Sequence, residues 1–100
     1  MISGTKRELC ERLLQGLGYN LIQYSELSEP ERSEAVATSE YGFIIRRERN
    51  LYYNQDQPEP EIVKTLLHEL YHITMLSGDE DAAECFARDA FYCLELLDTA

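Results

Sequence analysis

His68-Glu69-Leu70-Tyr71-His72 sets two histidines four residues apart with a glutamate directly after the first, and the 100-residue chain contains no other histidine. On a helix, positions four apart lie one above the other, so both imidazoles can serve a single metal ion. Glu69 projects about 100° round from His68, where its carboxylate can take a proton from an attacking water as general base. The flanks read as a helix over residues 60–76, because Ile62, Val63, Leu66, Leu70 and Ile73 recur at helical spacing and form one apolar face. His68 and His72 fall roughly 160° from the centre of that face. They point across to whatever covers the helix's other side, together with Leu67, Tyr71 and Met75. The plain alternative is a surface helix with two fortuitous histidines.

The cover is sought in the neighbouring segment. Ser77-Gly78-Asp79 ends the motif helix and starts another, with Gly78 suited to a left-handed cap and Asp79 to the next N-terminus. The following helix, 79–98, carries a sustained stripe of Ala83, Phe86, Ala87, Ala90, Phe91, Leu94 and Leu97. A zinc site needs a third protein ligand. With no third histidine, that ligand must be a carboxylate or a cysteine. Glu80 lies about 60° from the centre of the stripe, Glu84 about 100° and Asp81 about 160°. Glu80 is the acid best placed to face inward, and Glu84 could orient a liganding histidine from one turn on. The plain alternative for both is a first-turn acid favoured by the helix dipole, and for Glu80 the ligand reading is preferred.

Upstream, residues 5–16 read as a helix with Leu9, Leu13 and Leu14 on one face and Gly16 and Gly18 as its stop. Residues 19–24 read as a strand, and 25–39 as a loop with a helical turn around 30–36. Residues 41–47 and 51–54 read as the strands of a hairpin turning near Glu48-Arg49-Asn50. Arg46, Arg47 and Arg49 gather at that turn, either as charges guarding an exposed edge or as contacts for an acidic substrate. The expected fold is α+β over one domain, residues 1–100: an N-terminal helix, a small antiparallel or mixed sheet of about three strands, and the motif helix packed on a C-terminal helix.

A net charge of -10 disfavours nucleic-acid backbones and anionic membranes and suits a basic partner or a divalent cation. No stretch approaches the roughly 18 apolar residues of a membrane span, and the N-terminal residues lack a signal-peptide core. Cys10, Cys85 and Cys93 are widely spaced. Cys85 and Cys93 would sit about 12 Å apart on one helix, beyond disulfide reach, so free thiols and a cytoplasmic location are expected.

The order of these elements resembles the ImmA/IrrE-type zinc metallopeptidases. The resemblance rests on Leu51-Tyr52-Tyr53-Asn54, on His68-Glu69-Leu70-Tyr71-His72, and on Glu80-Asp81-Ala82-Ala83-Glu84-Cys85-Phe86-Ala87. It is specific from about residue 51 to 91, with Tyr71 where the family usually has glycine and Glu84 where it has asparagine or aspartate. The resemblance implies His68, His72 and Glu80 as Zn2+ ligands and Glu69 as general base. It also implies a protein or peptide substrate, often a helix-turn-helix repressor encoded on a phage or mobile element. From the residues alone, Tyr71, Tyr52 and Tyr53 are candidates for the oxyanion donor, and iron, cobalt, nickel or manganese can take the same ligands as zinc. The expected function is a zinc-dependent metallo-endopeptidase; the alternative is a non-proteolytic zinc-binding module that docks a basic partner. The sequence sets no oligomeric state.

Overall fold

The computed structural model describes residues 5–99. The elements run α1 (Lys6–Gly16), β1 (Asn20–Gln23), α2 (Glu31–Thr38), β2 (Gly42–Ile45), β3 (Asn50–Tyr53), α3 (Glu59–Met75) and α4 (Glu80–Thr99). Short 3₁₀ turns follow β1 and β2. The expected α+β architecture is present, and the sheet is mixed. β3 lies in the centre, parallel to β1 with Leu21 opposite Leu51, and antiparallel to β2 with Ile44 opposite Leu51. The two-residue period turns Leu51 and Tyr53 inward, where both are fully buried. On the other face Tyr52 stacks on Phe43, with ring centroids 5.0 Å apart.

α1 begins where Thr5 Oγ1 accepts the Glu8 amide at 3.1 Å, satisfying one of the helix's orphan donors. It ends at Gly18, whose φ of +89° is open to glycine and strained for any other residue. Arg49 Nη1 then donates to the Leu17 carbonyl at 3.1 Å, tying the hairpin turn to the helix end. Leu14, Leu51, Ile62 and Leu66 form the centre of the core where α1, β3 and α3 meet.

Three segments differ from the sequence expectation. Residues 25–39 contain a full helix, α2, longer than the turn expected at 30–36. The second strand stops at Ile45, and Arg46–Glu48 coil into a 3₁₀ turn instead of extending the strand to residue 47. Gly78 does not take the left-handed cap of α3. Leu76 does, at φ 51°. A leucine there costs roughly 1 kcal/mol relative to glycine. The early turn leaves the Ser77 carbonyl free to fold back against α3, where it meets His72 Nδ1.

β2 can lie against α3 only because residue 42 lacks a side chain. A Cβ built on Gly42 would sit 2.8 Å from Thr65 Cγ2 and 2.8 Å from the Tyr52 carbonyl oxygen. Gly42→Ala is expected to destabilise the fold by about 1–3 kcal/mol through overpacking against backbone. Gly16→Ala, where a Cβ meets nothing within 4 Å, should be neutral or gain up to about 1 kcal/mol of helix propensity. Urea unfolding of the two variants measures the difference.

Cys10 is buried while Cys85 and Cys93 are exposed, and all three are free thiols. Burial, reinforced by the charge of Glu11, pushes the Cys10 thiol up from 9.0 to about 11. The folded chain keeps that proton where the unfolded chain has lost it. The associated stability is complete below pH 9.0 and is lost as pH rises toward about 11. Thiol titration at pH 8 should therefore find two fast cysteines, with the third reacting only on unfolding.

Candidate metal centre

α3 supplies both histidines on one face, and the first turn of α4 supplies Glu80 opposite them. The two Nε2 atoms lie 3.0 Å apart. Glu80 bridges them, with Oε2 3.0 Å from His68 Nε2 and Oε1 2.9 Å from His72 Nε2. α4 reaches this position because Ala83 and Ala87, one turn apart, are buried where it packs on α3. Methyl groups at that seam let the helix axes approach closely. Asp79 Oδ1 accepts the Ala82 amide at 3.0 Å, so α4 starts just ahead of Glu80.

The second ring nitrogen of each histidine decides the chemistry of the first. His72 Nδ1 donates to the Ser77 carbonyl at 2.6 Å. That oxygen can only accept, so Nδ1 carries a proton, and in the neutral ring Nε2 is left with a lone pair. His68 Nδ1 donates to Glu84 Oε1 at 2.7 Å, which holds the same arrangement. With both rings neutral, two lone pairs and a carboxylate converge on one point. Three such acceptors at 2.9–3.0 Å repel one another unless a positive charge, a ring proton or a metal cation, lies between them. The three ligand atoms fall within 4.8 Å of one another. Tetrahedral zinc with its usual bond lengths spaces donors about 3.4 Å apart, so a few tenths of an ångström of spreading admits the ion. The donor set fits zinc.

Glu69 is only 7% exposed, and its carboxylate accepts no hydrogen bond among the described residues. It lines an open cleft of about 760 Å³ that also exposes both histidines, Glu80 and the edge of β2. Burial raises its carboxyl from 4.5 to about 6; the charges of His68, His72 and Arg46 oppose the rise, and Glu80 adds to it. A buried acid without partners, aimed into a cleft beside a metal-ligand cluster, has the environment of a general base.

Two of the tyrosines considered as oxyanion donors have their hydroxyls engaged elsewhere. Tyr53 is buried with its hydroxyl against Arg7 Nη2 at 2.8 Å, and the Tyr52 hydroxyl accepts from Asn50 Nδ2 at 3.1 Å. Tyr71 packs its ring on Phe86, with centroids 5.6 Å apart. The cleft wall holds Arg46 instead, whose Nη2 donates to the His72 carbonyl at 2.7 Å. The arginine cluster at the hairpin turn is thus divided: Arg46 faces the cleft, and Arg49 faces α1. The Ser77 carbonyl, a backbone atom, carried no signal in the sequence. Comparison with protein-family models, curated proteins and solved structures found no match.

The raised Glu69 carboxyl has a stability consequence in chelator-treated protein. Folded Glu69 holds its proton to about pH 6 while the unfolded chain releases it near 4.5. Stability from this group is full below pH 4.5 and lost as pH rises through about 6. Glu69→Gln should remove that dependence and raise the stability of the metal-free protein at pH 7 by up to about 2 kcal/mol. Thermal unfolding of both proteins between pH 4 and 7, with chelator present, checks the sign.

Proposed function

We propose that the protein is a zinc-dependent metallo-endopeptidase of the ImmA/IrrE type acting on a cytoplasmic protein. The observation that carries this reading is the convergence of three acceptor atoms, with His72 Nε2, His68 Nε2 and Glu80 oxygens 2.9–3.0 Å apart, beside an unpartnered buried Glu69. His68, His72 and Glu80 would hold the ion, and three protein ligands are the number used by catalytic zinc. Bound zinc supplies Lewis-acid polarisation of a carbonyl and lowers the pKa of water. The remaining chemistry belongs to the chain. Glu69 accepts a proton from the attacking water and returns it to the leaving amine. Ser77 and Glu84 hold the two imidazoles in the tautomer that keeps Nε2 free. Among the described residues β2 pairs with no strand but β3, and beyond Gly42, whose amide donates to Ser39 Oγ at 3.2 Å, its other edge can pair with an extended peptide passing the site.

An open cleft beside a sheet edge suits an internal stretch of polypeptide. No helix among the described residues is long and apolar enough to cross a membrane. A repressor as substrate rests on family analogy alone.

Elemental analysis is expected to give about one zinc per chain after loading and desalting, lost in His72→Ala and kept in Glu69→Gln. Glu84→Ala should retain the site with about 10–100-fold weaker zinc affinity. Cleavage of a peptide library by the zinc-loaded wild type should fall by a factor of about 10²–10⁴ in Glu69→Gln. Absence of zinc binding by the wild type would overturn the reading.

A further inference from the structure

Arg46 stands out in a chain with 19 acidic and nine basic residues. Among the described residues it makes no ion pair, although it lines a cleft that also holds Glu61, Glu69, Glu80 and Glu84. The cleft's other cation, Lys64, is engaged: its ammonium lies 3.6 Å from Glu61 Oε1 and 5.1 Å from the centre of the Phe91 ring. Arg46 is held in place by a single hydrogen bond, from Nη2 to the His72 carbonyl. A guanidinium offers five donors in a planar fork, so one bond to a carbonyl leaves most of them available. The 3₁₀ turn at Arg46–Glu48 takes the side chain off the strand and places it at the end of β2 nearest His72.

The two cations of the cleft therefore differ: Lys64 is paired with Glu61, while Arg46, beside His72, is paired with no carboxylate among the described residues. A helix cap alone needs one donor and no charge, and in an acidic molecule a lone arginine beside the reactive centre has a field to offer a ligand.

We propose that Arg46 is a specificity-determining residue that binds a carboxylate of the substrate, an acidic side chain or chain terminus, lying toward the C-terminal end of β2. Paired N–H donors on such a carboxylate give a charge-assisted, bidentate contact, which both anchors the peptide and fixes its direction along β2. The substrate class is then a polypeptide with an acidic group on the His72 side of the reacting bond. This inference rests on the metallopeptidase reading of the same site.

The test uses two peptide hydroxamates identical except that one ends in a carboxylate and the other in a carboxamide, titrated calorimetrically into zinc-loaded protein. Wild type is expected to bind the carboxylate form about tenfold or more tighter than the amide. Arg46→Gln, which removes the charge and the guanidinium fork, should abolish that difference by lowering the affinity of the carboxylate form alone. Arg46→Lys should retain part of it. Equal affinity of the two probes in wild type overturns the proposal and reduces Arg46 to a cap of α3. An equal loss for both probes in Arg46→Gln also overturns it, and assigns the charge to the anion at the metal. Failure of wild type to bind either hydroxamate while holding zinc would instead remove the peptidase reading on which the proposal stands.

Discussion

Two hydrogen bonds to Nδ1 atoms set the character of this molecule. His72 gives its proton to a backbone carbonyl and His68 gives its proton to Glu84, and both Nε2 lone pairs are thereby committed to the same point in space. Glu80 adds a carboxylate to them. Such a cluster is unfavourable without a positive charge, supplied by a ring proton or by a bound cation. The fold accepts that cost, just as it accepts a buried Glu69 and a leucine in the left-handed region at residue 76. Local conflicts of this kind collect at functional sites, because the surrounding structure over-determines them.

The scaffold supplies that over-determination through small residues at close contacts. Ala83 and Ala87 bring α4 against α3, so that Glu80 and Glu84 reach the two nitrogens of the His68 imidazole. Gly42 brings β2 against Thr65 on α3, which places the open strand edge along the cleft. The large apolar residues, Leu14, Leu51, Ile62 and Leu66, lie on the opposite side of α3 and hold it to α1 and the sheet. One face of the helix is therefore rigid core, and the other carries His68, His72 and Glu69. Side chains on packed helices move little relative to one another, which suits a candidate metal site.

Charge is distributed with the same economy. The net charge of -10 suits a site that concentrates cations. Within that field Arg46 is a local inversion, and its charge counters the burial that raises the Glu69 carboxyl. The arginine thus acts on Glu69 electrostatically while its remaining N–H donors face the cleft. Tyr53, by contrast, spends its hydroxyl on Arg7 and other core-edge partners, and has none to offer the cleft.

The sequence by itself determined the three long helices and most of their faces; it showed only a turn where α2 stands, and it counted the exposed Leu13 on the inner face of α1. The four-residue spacing of His68 and His72, the apolar stripe opposite them and the alanine-rich stripe of residues 83–90 are periodic, and period is what a linear chain displays directly. Glu80 as the inward acid and Glu84 as its companion followed from angle on the helix. Tertiary structure decided what periodicity does not encode. Which carboxylate met Nε2 and which met Nδ1 depended on the closeness of α3 and α4. The parallel pairing of β1 with β3 depended on contacts across some thirty residues of sequence. The Ser77 carbonyl is backbone, present at every residue, and became a partner of His72 because the chain turned at Leu76 and not at Gly78. Arg46 was separated from Arg49 only by the 3₁₀ turn after β2, a change of direction that places one guanidinium in the cleft and the other against α1. Residue type fixes what a side chain can do, and spacing fixes its face; which partner it meets is set by packing between elements distant in the chain.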